Sequence, residues 1–208
     1  MSSVTPKDIK KLRDMTGAGM MECKAALIEA EGDFDNATDI LIKRSASIAA
    51  KKAHRETSHG MIGSYIHTKE DGGVGTLGVL VEVNLETDFA ARSPKFKEFV
   101  DKLTLHIAAA GPRYLSIDEI PEEVLEKQKE IFVAQMEETN KPKDILEKIA
   151  DGKLKKWKSE VCLLDQIYAL AQDKDEQIPI SEMLQQTIGK IGENMAIRRF
   201  ARFALGEE

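Results

Sequence analysis

From Leu77 to Val83 the chain alternates: Leu77, Val79, Val81 and Val83 stand in turn with Gly78, Leu80 and Glu82. That two-residue period belongs to a β-strand, and the valines make it one that is largely buried. A helix follows almost at once. Ser93 suits the N-cap, Pro94 the first helical position, and Phe96, Phe99, Val100, Leu103, Ile107 and Ala110 recur at helical spacing. Thr87 to Arg92 is left as a short connection with Phe89 at its centre. Phe89 either folds back on the core, the ordinary location of a Phe, or stands out at a rigid loop tip beside Asp88.

Upstream, residues 1 to about 54 read as one unit. Thr5 caps a helix with Pro6 at its first position and Asp8 three residues on, which resembles a capping box, and Ile9 and Leu12 carry the apolar stripe. Thr16-Gly-Ala-Gly19 breaks that helix. A second carries Met20, Cys23, Ala26 and Leu27, and Asp33 caps a third with Ala37, Ile40, Leu41 and Ile48 at core spacing. Of the adjacent pair Met20 and Met21, one residue at most faces the helix's own core squarely, and the other is an incidental exposed group or part of an adaptable contact surface. Arg13 alone reads as a solvated charge. Residues 43 to 59 are basic and polar, a helix tail running into a linker.

Met61 to His67 is a second strand candidate, and Thr68 to Gly75 a turn, so the pair of strands forms a hairpin. Gly73-Val-Gly-Thr-Leu-Gly78 satisfies G-x-G-x-x-G, yet it opens a strand where a dinucleotide site needs a helix. Asp33-Phe-Asp35 fails as a calcium loop, with Thr38 and Arg44 at the positions of the turn glycine and the bidentate Glu. Asn36-Ala-Thr38 is a sequon without a secretory context. After a break at Gly111-Pro112, a helix begins at Pro121 with Val124, Leu125, Ile131, Phe132 and Met136. The turn Thr139-Asn-Lys-Pro142 leads to another with Ile145, Leu146 and Ile149, the two making a helical hairpin at about 121–157 in which Gly152 marks a break.

Val161 to Leu164 is apolar without a type. A helix from about Ser181 carries Met183, Leu184 and Ile188 and is interrupted by Gly189 and Gly192. Met195 to Leu205 is a third strand candidate, with Ile197, Ala201, Phe203 and Leu205 on one side and Arg198 and Arg202 on the other. The expected fold class is α+β: a three-helix domain over 1–54, then a core over 55–208 built of a small antiparallel sheet packed with helices and the helical hairpin.

Composition narrows the function classes. Thirty-six acidic against 30 basic residues leave a net charge of -6, which disfavours a nucleic-acid partner. Cys23 and Cys162 have no Cys or His at metal-ligand spacing, so no zinc site is expected. The N-terminus has no apolar signal stretch and no run approaches membrane-spanning length, so a cytoplasmic location is expected. The four histidines are scattered and no serine sits in a nucleophile elbow, so catalysis is not expected. His106 lies on the core-helix pattern as a half-buried, hydrogen-bonded residue.

Three segments carry a resemblance. Glu82-Val-Asn-Leu-Glu-Thr-Asp-Phe-Ala-Ala-Arg92 resembles the loop signature of the elongation factor Ts family, departing from it at Leu85 and Ala90 but not at Asp88 or Phe89. Leu12-Arg-Asp-Met-Thr-Gly-Ala-Gly-Met-Met-Glu-Cys-Lys-Ala-Ala-Leu27 is similar to its N-terminal signature, and Ile191-Gly-Glu-Asn-Met-Ala-Ile-Arg-Arg199 to a recurrent segment. The resemblance implies a ubiquitin-associated-like fold for the three helices and a guanine-nucleotide exchange function on elongation factor Tu. Arg13, Met20, Met21, Thr87, Asp88 and Phe89 match partner-contacting positions, and His67 matches one near the partner in the second core repeat of longer members. Phe89 would enter an apolar pocket of the GTPase while Asp88 disturbs the surroundings of a magnesium ion that belongs to the partner, so this chain is assigned no metal or cofactor. Longer members carry a duplicated core and this chain has it once. A homodimer in a 2:2 complex is therefore expected. The rival is a module that binds a partner through the three helices without nucleotide exchange.

Overall fold

The computed structural model describes residues 4–68, 73–136, 143–173 and 176–207. They form an α+β fold with eight α-helices and one three-stranded antiparallel sheet among the described residues. Strands β1 (His59–His67), β2 (Leu77–Leu85) and β3 (Met195–Ala204) lie in the order β1-β2-β3. Residues 69–72 of the turn expected at Thr68 to Gly75, and all of the turn expected at 139–142, lie outside the described residues.

The first three helices are α1 (Pro6–Thr16), α2 (Met20–Glu29) and α3 (Phe34–Lys52). Their ends follow from local chemistry. Thr5 and Asp8 exchange bonds, with Asp8 N–H donating to Thr5 Oγ1 at 3.3 Å and Thr5 N–H to Asp8 Oδ2 at 3.0 Å, so α1 starts on a reciprocal cap. Bonding to Thr5 holds the Asp8 carboxyl below its ordinary range. Gly17 ends α1 in the left-handed region at φ 67°, where its N–H reaches Arg13 O at 2.8 Å. Asp33 caps α3 by accepting from Asn36 N–H at 2.8 Å. Ile9, Leu12, Cys23, Ala26, Leu27, Ala37 and Leu41 then pack together as one buried cluster.

The chain divides into two compact units, each assembled from three stretches: residues 1–63, 81–102 and 182–198 in the first, and 64–80, 103–181 and 199–208 in the second. The first unit contains α1 to α3 and a short helix α4 (Asp88–Ala91). Helix α5 (Pro94–Ala110) begins in the first unit and ends in the second, burying Phe96, Phe99, Val100, Leu103 and Ile107 as the spacing predicts. The second unit contains α6 (Glu122–Ala134) and α7 (Lys143–Val161), the expected hairpin, joined by packing of Phe132, Val133 and Met136 on Leu146, Ile149 and Ala150. Helix α8 spans Ile180–Ile191.

Several sequence expectations are corrected. Strand β2 is buried on one face only: Val79, Val81, Val83 and Leu85 are inside while Leu80 is half exposed. Gly152 does not break α7, since the space beside it is open and a helix absorbs one exposed glycine at about 1 kcal/mol. Nor does Gly189 interrupt α8. A Cβ there would stand 2.5 Å from Ser45 Oγ, so the glycine serves close approach to α3, and the helix ends before Gly192. In β3, Met195 and Ile197 are buried, but Phe203 and Leu205 are exposed while Arg202, paired with Glu207, is the more covered residue. Packing continues at that end of the strand, but Arg202 takes the covered position, its guanidinium beside Gly111 just past α5. Val161 ends α7, Cys162 bridges to Tyr114, and Leu163–Asp165 form a 3-10 turn.

His106 is fully buried, not half-buried. Its Nδ1 accepts from Ala169 N–H at 3.1 Å, which leaves Nε2 to donate to Gln166 Oε1 at 2.9 Å, and Gln166 Nε2 donates in turn to Glu160 O at 2.6 Å. Burial pushes the imidazole pKa down, against a smaller opposing effect of Gln166.

Candidate functional site

The stretch Thr87 to Arg92 is not an open connection. Asp88 to Ala91 make a single helical turn, with Thr87 Oγ1 accepting from Ala90 N–H at 3.3 Å as its cap. Ser93 N–H donates to Ala90 O at 3.0 Å and Ser93 Oγ accepts from Phe96 N–H at 3.3 Å, so the turn passes directly into α5. Phe89 is 82% exposed, which decides against the core reading of its ring. An isolated turn this short has no intrinsic stability in water, so its shape depends on the bonds around it.

Those bonds come from the loop between α8 and β3. Glu193 accepts twice from Thr87, at 3.0 Å from the backbone N–H to Oε2 and at 2.7 Å from the hydroxyl to Oε1. The next residue, Asn194, donates its N–H to Glu86 Oε1 at 2.6 Å and its side-chain amide to Arg55 O at 2.8 Å. Arg55 lies 3.3 Å from the Glu86 carboxylate as well. The Asn194 N–H first, and then Arg55, hold the Glu86 carboxyl below its usual range. Asp88 is half exposed and pairs with Arg92 at 2.9 Å across one helical turn. Such an exposed pair is worth about 0–1 kcal/mol and is exchanged for another partner at little cost.

Met20 and Met21 open α2 and are both exposed, at 48% and 73%, so neither serves the core of the helix, which rests on Cys23, Ala26 and Leu27. Arg13 is exposed on the last turn of α1. Arg13, Asp14, Gly17, Met20 and Lys95 line one open cleft, and Lys95 Nζ donates to Gly17 O at 3.1 Å. Since Lys95 is the second residue of α5, this bond ties the α1–α2 corner to the segment that follows the Phe89 turn. Six of the seven expected partner residues thus belong to the first unit; His67 belongs to the second, exposed at the end of β1 with Nδ1 2.9 Å from Tyr65 Oη.

Two residues of this site, Lys95 and Glu193, have no reading from sequence. Glu193 sits inside a segment already noted for its resemblance, but its partner is 106 positions away and no local spacing connects them. Among the described residues no group of three or more His, Cys, Asp and Glu is placed to hold a metal ion, and no helix is long and apolar enough to cross a membrane. Gly78 lies inside β2, so the glycine-rich decoy leads into a strand as expected.

Residues 22–178 match the family model described as "Elongation factor TS". The chain is 49% identical over 205 residues to elongation factor Ts of Pseudothermotoga lettingae, covering 99% of each chain. It is 47% identical to that of Geobacter sulfurreducens, covering 99% of this chain and 91% of the relative, and 47% identical to that of Fervidobacterium nodosum, covering 98% and 99%. With the Thr87 to Arg92 turn, the paired methionines and the α+β fold already in view, these matches over nearly its whole length make the chain a member of the elongation factor Ts family of translation elongation factors.

Proposed function

We propose that this chain is a guanine-nucleotide exchange factor that binds elongation factor Tu and accelerates GDP release without covalent chemistry. The observation that carries the reading is Phe89: a large aromatic ring held in solvent at the tip of a turn that is capped and bonded at its base. A bare ring in a fixed attitude suits insertion into an apolar pocket of a partner, which returns roughly 1.5–3 kcal/mol of burial. That energy opposes the nucleotide-bound arrangement of the GTPase. Asp88, released from Arg92, acts on the surroundings of the partner's magnesium. Because coupling between sites is reciprocal, nucleotide and magnesium returning to the GTPase weaken its hold on this chain.

Residues 1–54 are the docking arm in this reading, with Arg13, Met20 and Met21 as its contacts, and 55–208 the core that carries Thr87, Asp88, Phe89 and His67. The methionines offer polarizable, adaptable side chains for the initial association. Release of a fluorescent GDP analogue from elongation factor Tu, followed by stopped flow with the wild type and Phe89→Ala, tests this. Acceleration by the wild type and its loss in the variant is expected. Binding without acceleration would move the assignment to the non-exchange module.

The same reading extends to a homodimer with one GTPase per protomer. In the second unit Ile66, Leu80, Phe203 and Leu205 are each more than half exposed on or beside the strands, and exposed apolar side chains of this size support burial against a second copy. Light scattering at micromolar concentration is expected to give twice the 23.1 kDa chain mass. A monomeric mass would remove this part of the proposal.

A further inference from the structure

The bonds that shape the Thr87 to Arg92 turn fall into two groups. Thr87 to Ala90, Ser93 to Ala90 and Arg92 to Asp88 hold the turn to itself. The two bonds from Thr87 to Glu193 tie it instead to a distant part of the unit, and both end on one carboxylate. Glu193 is itself fixed on either side. Lys52 Nζ donates to Gly192 O, and Asn194 is bound to both Glu86 and Arg55. The carboxylate is therefore presented from a braced loop, and the Thr87 hydroxyl serves two purposes, donating to Glu193 while accepting from Ala90. Phe89 makes no comparable contribution, because its ring is exposed.

We infer that Glu193 is a positioning residue for nucleotide exchange: it sets the attitude of the Asp88–Phe89 turn before the partner arrives. The inference rests on the exchange reading above. Preorganisation of this kind removes the ordering cost that an unanchored turn would meet on insertion. The effect belongs to the step in which the ring enters its pocket, so it falls on the maximal exchange rate. The initial association through Met20 and Met21 is left unchanged.

The test uses the full chain as wild type, E193A and E193Q, with two readouts. Amide hydrogen exchange of the free protein should show the Thr87 and Ala90 amides opening roughly tenfold faster in E193A, the scale of a lost hydrogen bond to a charged group. Stopped-flow GDP release, measured against concentration of this protein, should show a maximal rate lowered on the order of tenfold with the half-saturating concentration within about twofold of wild type. E193Q keeps one acceptor oxygen and should fall between the two. The loss should shrink in an F89L background and persist in full in M20A, because coupling is confined to residues acting through one element.

E193A exchanging at the wild-type rate while Phe89→Ala is slow would overturn the role of Glu193 and leave the exchange reading standing. A loss that adds in full to F89L would also overturn it, since Glu193 would then act on the fold at large. A wild type that does not accelerate GDP release would remove the exchange reading itself, and the proposed role with it.

Discussion

Phe89 and Phe96 lie on successive helices, α4 and α5, and at opposite extremes of burial, 82% exposed and 0% exposed. The same side chain is held in two different ways. Phe96 is fixed by what it touches, as one of the apolar residues along α5 that are inside with Phe99, Val100 and Leu103. Phe89 is fixed by its backbone: Thr87 caps the turn, Glu193 grips Thr87, and the ring itself is left bare. Packing makes a residue indispensable to the fold and unavailable to a partner. Polar anchoring of the main chain does the reverse, and that is the arrangement an inserting side chain requires.

The largest effect that separates the two is on stability. Phe96→Ala is expected to cost about 3–5 kcal/mol, the range for truncating a buried aromatic, whereas Phe89→Ala should stay within about 0.5 kcal/mol. Urea unfolding of both variants checks this. An equal loss in the two would mean that the ring of Phe89 packs in solution and the contrast is false. Met20→Ala and Met21→Ala sharpen the contrast from another side. Each should leave the maximal exchange rate near wild type and raise the half-saturating concentration by roughly fivefold, about 1 kcal/mol of apolar contact. A reduced maximal rate at unchanged half-saturation would put the methionines in the same role as Phe89.

The second unit offers a third way of fixing a residue, by hydrogen bonds around a buried polar ring. The neutral form of His106 accepts from Ala169 N–H, a bond that a protonated ring cannot accept. Its folded pKa lies below the ordinary value of about 6.5, so between the two the unfolded chain binds more protons. The stability from this group is complete above about pH 6.5 and is lost as pH falls through the folded value. Urea midpoints measured at descending pH should therefore fall more steeply for the wild type than for His106→Gln, which does not titrate. Parallel slopes would show that His106 does not carry the dependence.

What is legible in the sequence is what is decided within a few residues. Thr5 with Asp8, Asp33 before α3, and Ser93 with Pro94 all find their partners inside one turn, and each reads correctly at its position. The apolar spacing of α5 and of β2 is legible for the same reason, because period reports the buried face directly, whereas in β3 it fails past Ile197, where Phe203 is exposed and Arg202 is covered. Gly152 and Gly189 mislead because a glycine's meaning lies in what stands opposite, open space for one and Ser45 for the other. Phe89 cannot be assigned to core or tip from its residue type. Its exposure has no local signature, and the bond from Thr87 to Glu193 across 106 positions leaves no mark on local composition either.

The smallest expected effect concerns Arg92, and it bears on which bonds hold the turn. Its guanidinium is 76% exposed and its pairing with Asp88 spans one helical turn in open solvent, where such ion pairs contribute about 0.3–0.5 kcal/mol. Arg92→Ala should therefore leave the Thr87 and Ala90 amides as protected as in the wild type and change the exchange rate by no more than about twofold. Raising the salt concentration should have a similarly small effect on amide protection, since screening acts on the Asp88–Arg92 pair before it reaches the part-buried bonds to Glu193. If Arg92→Ala instead loosened those amides as far as E193A does, the turn would depend on its own exposed ion pair, and Phe89 would be far less rigidly held than Phe96.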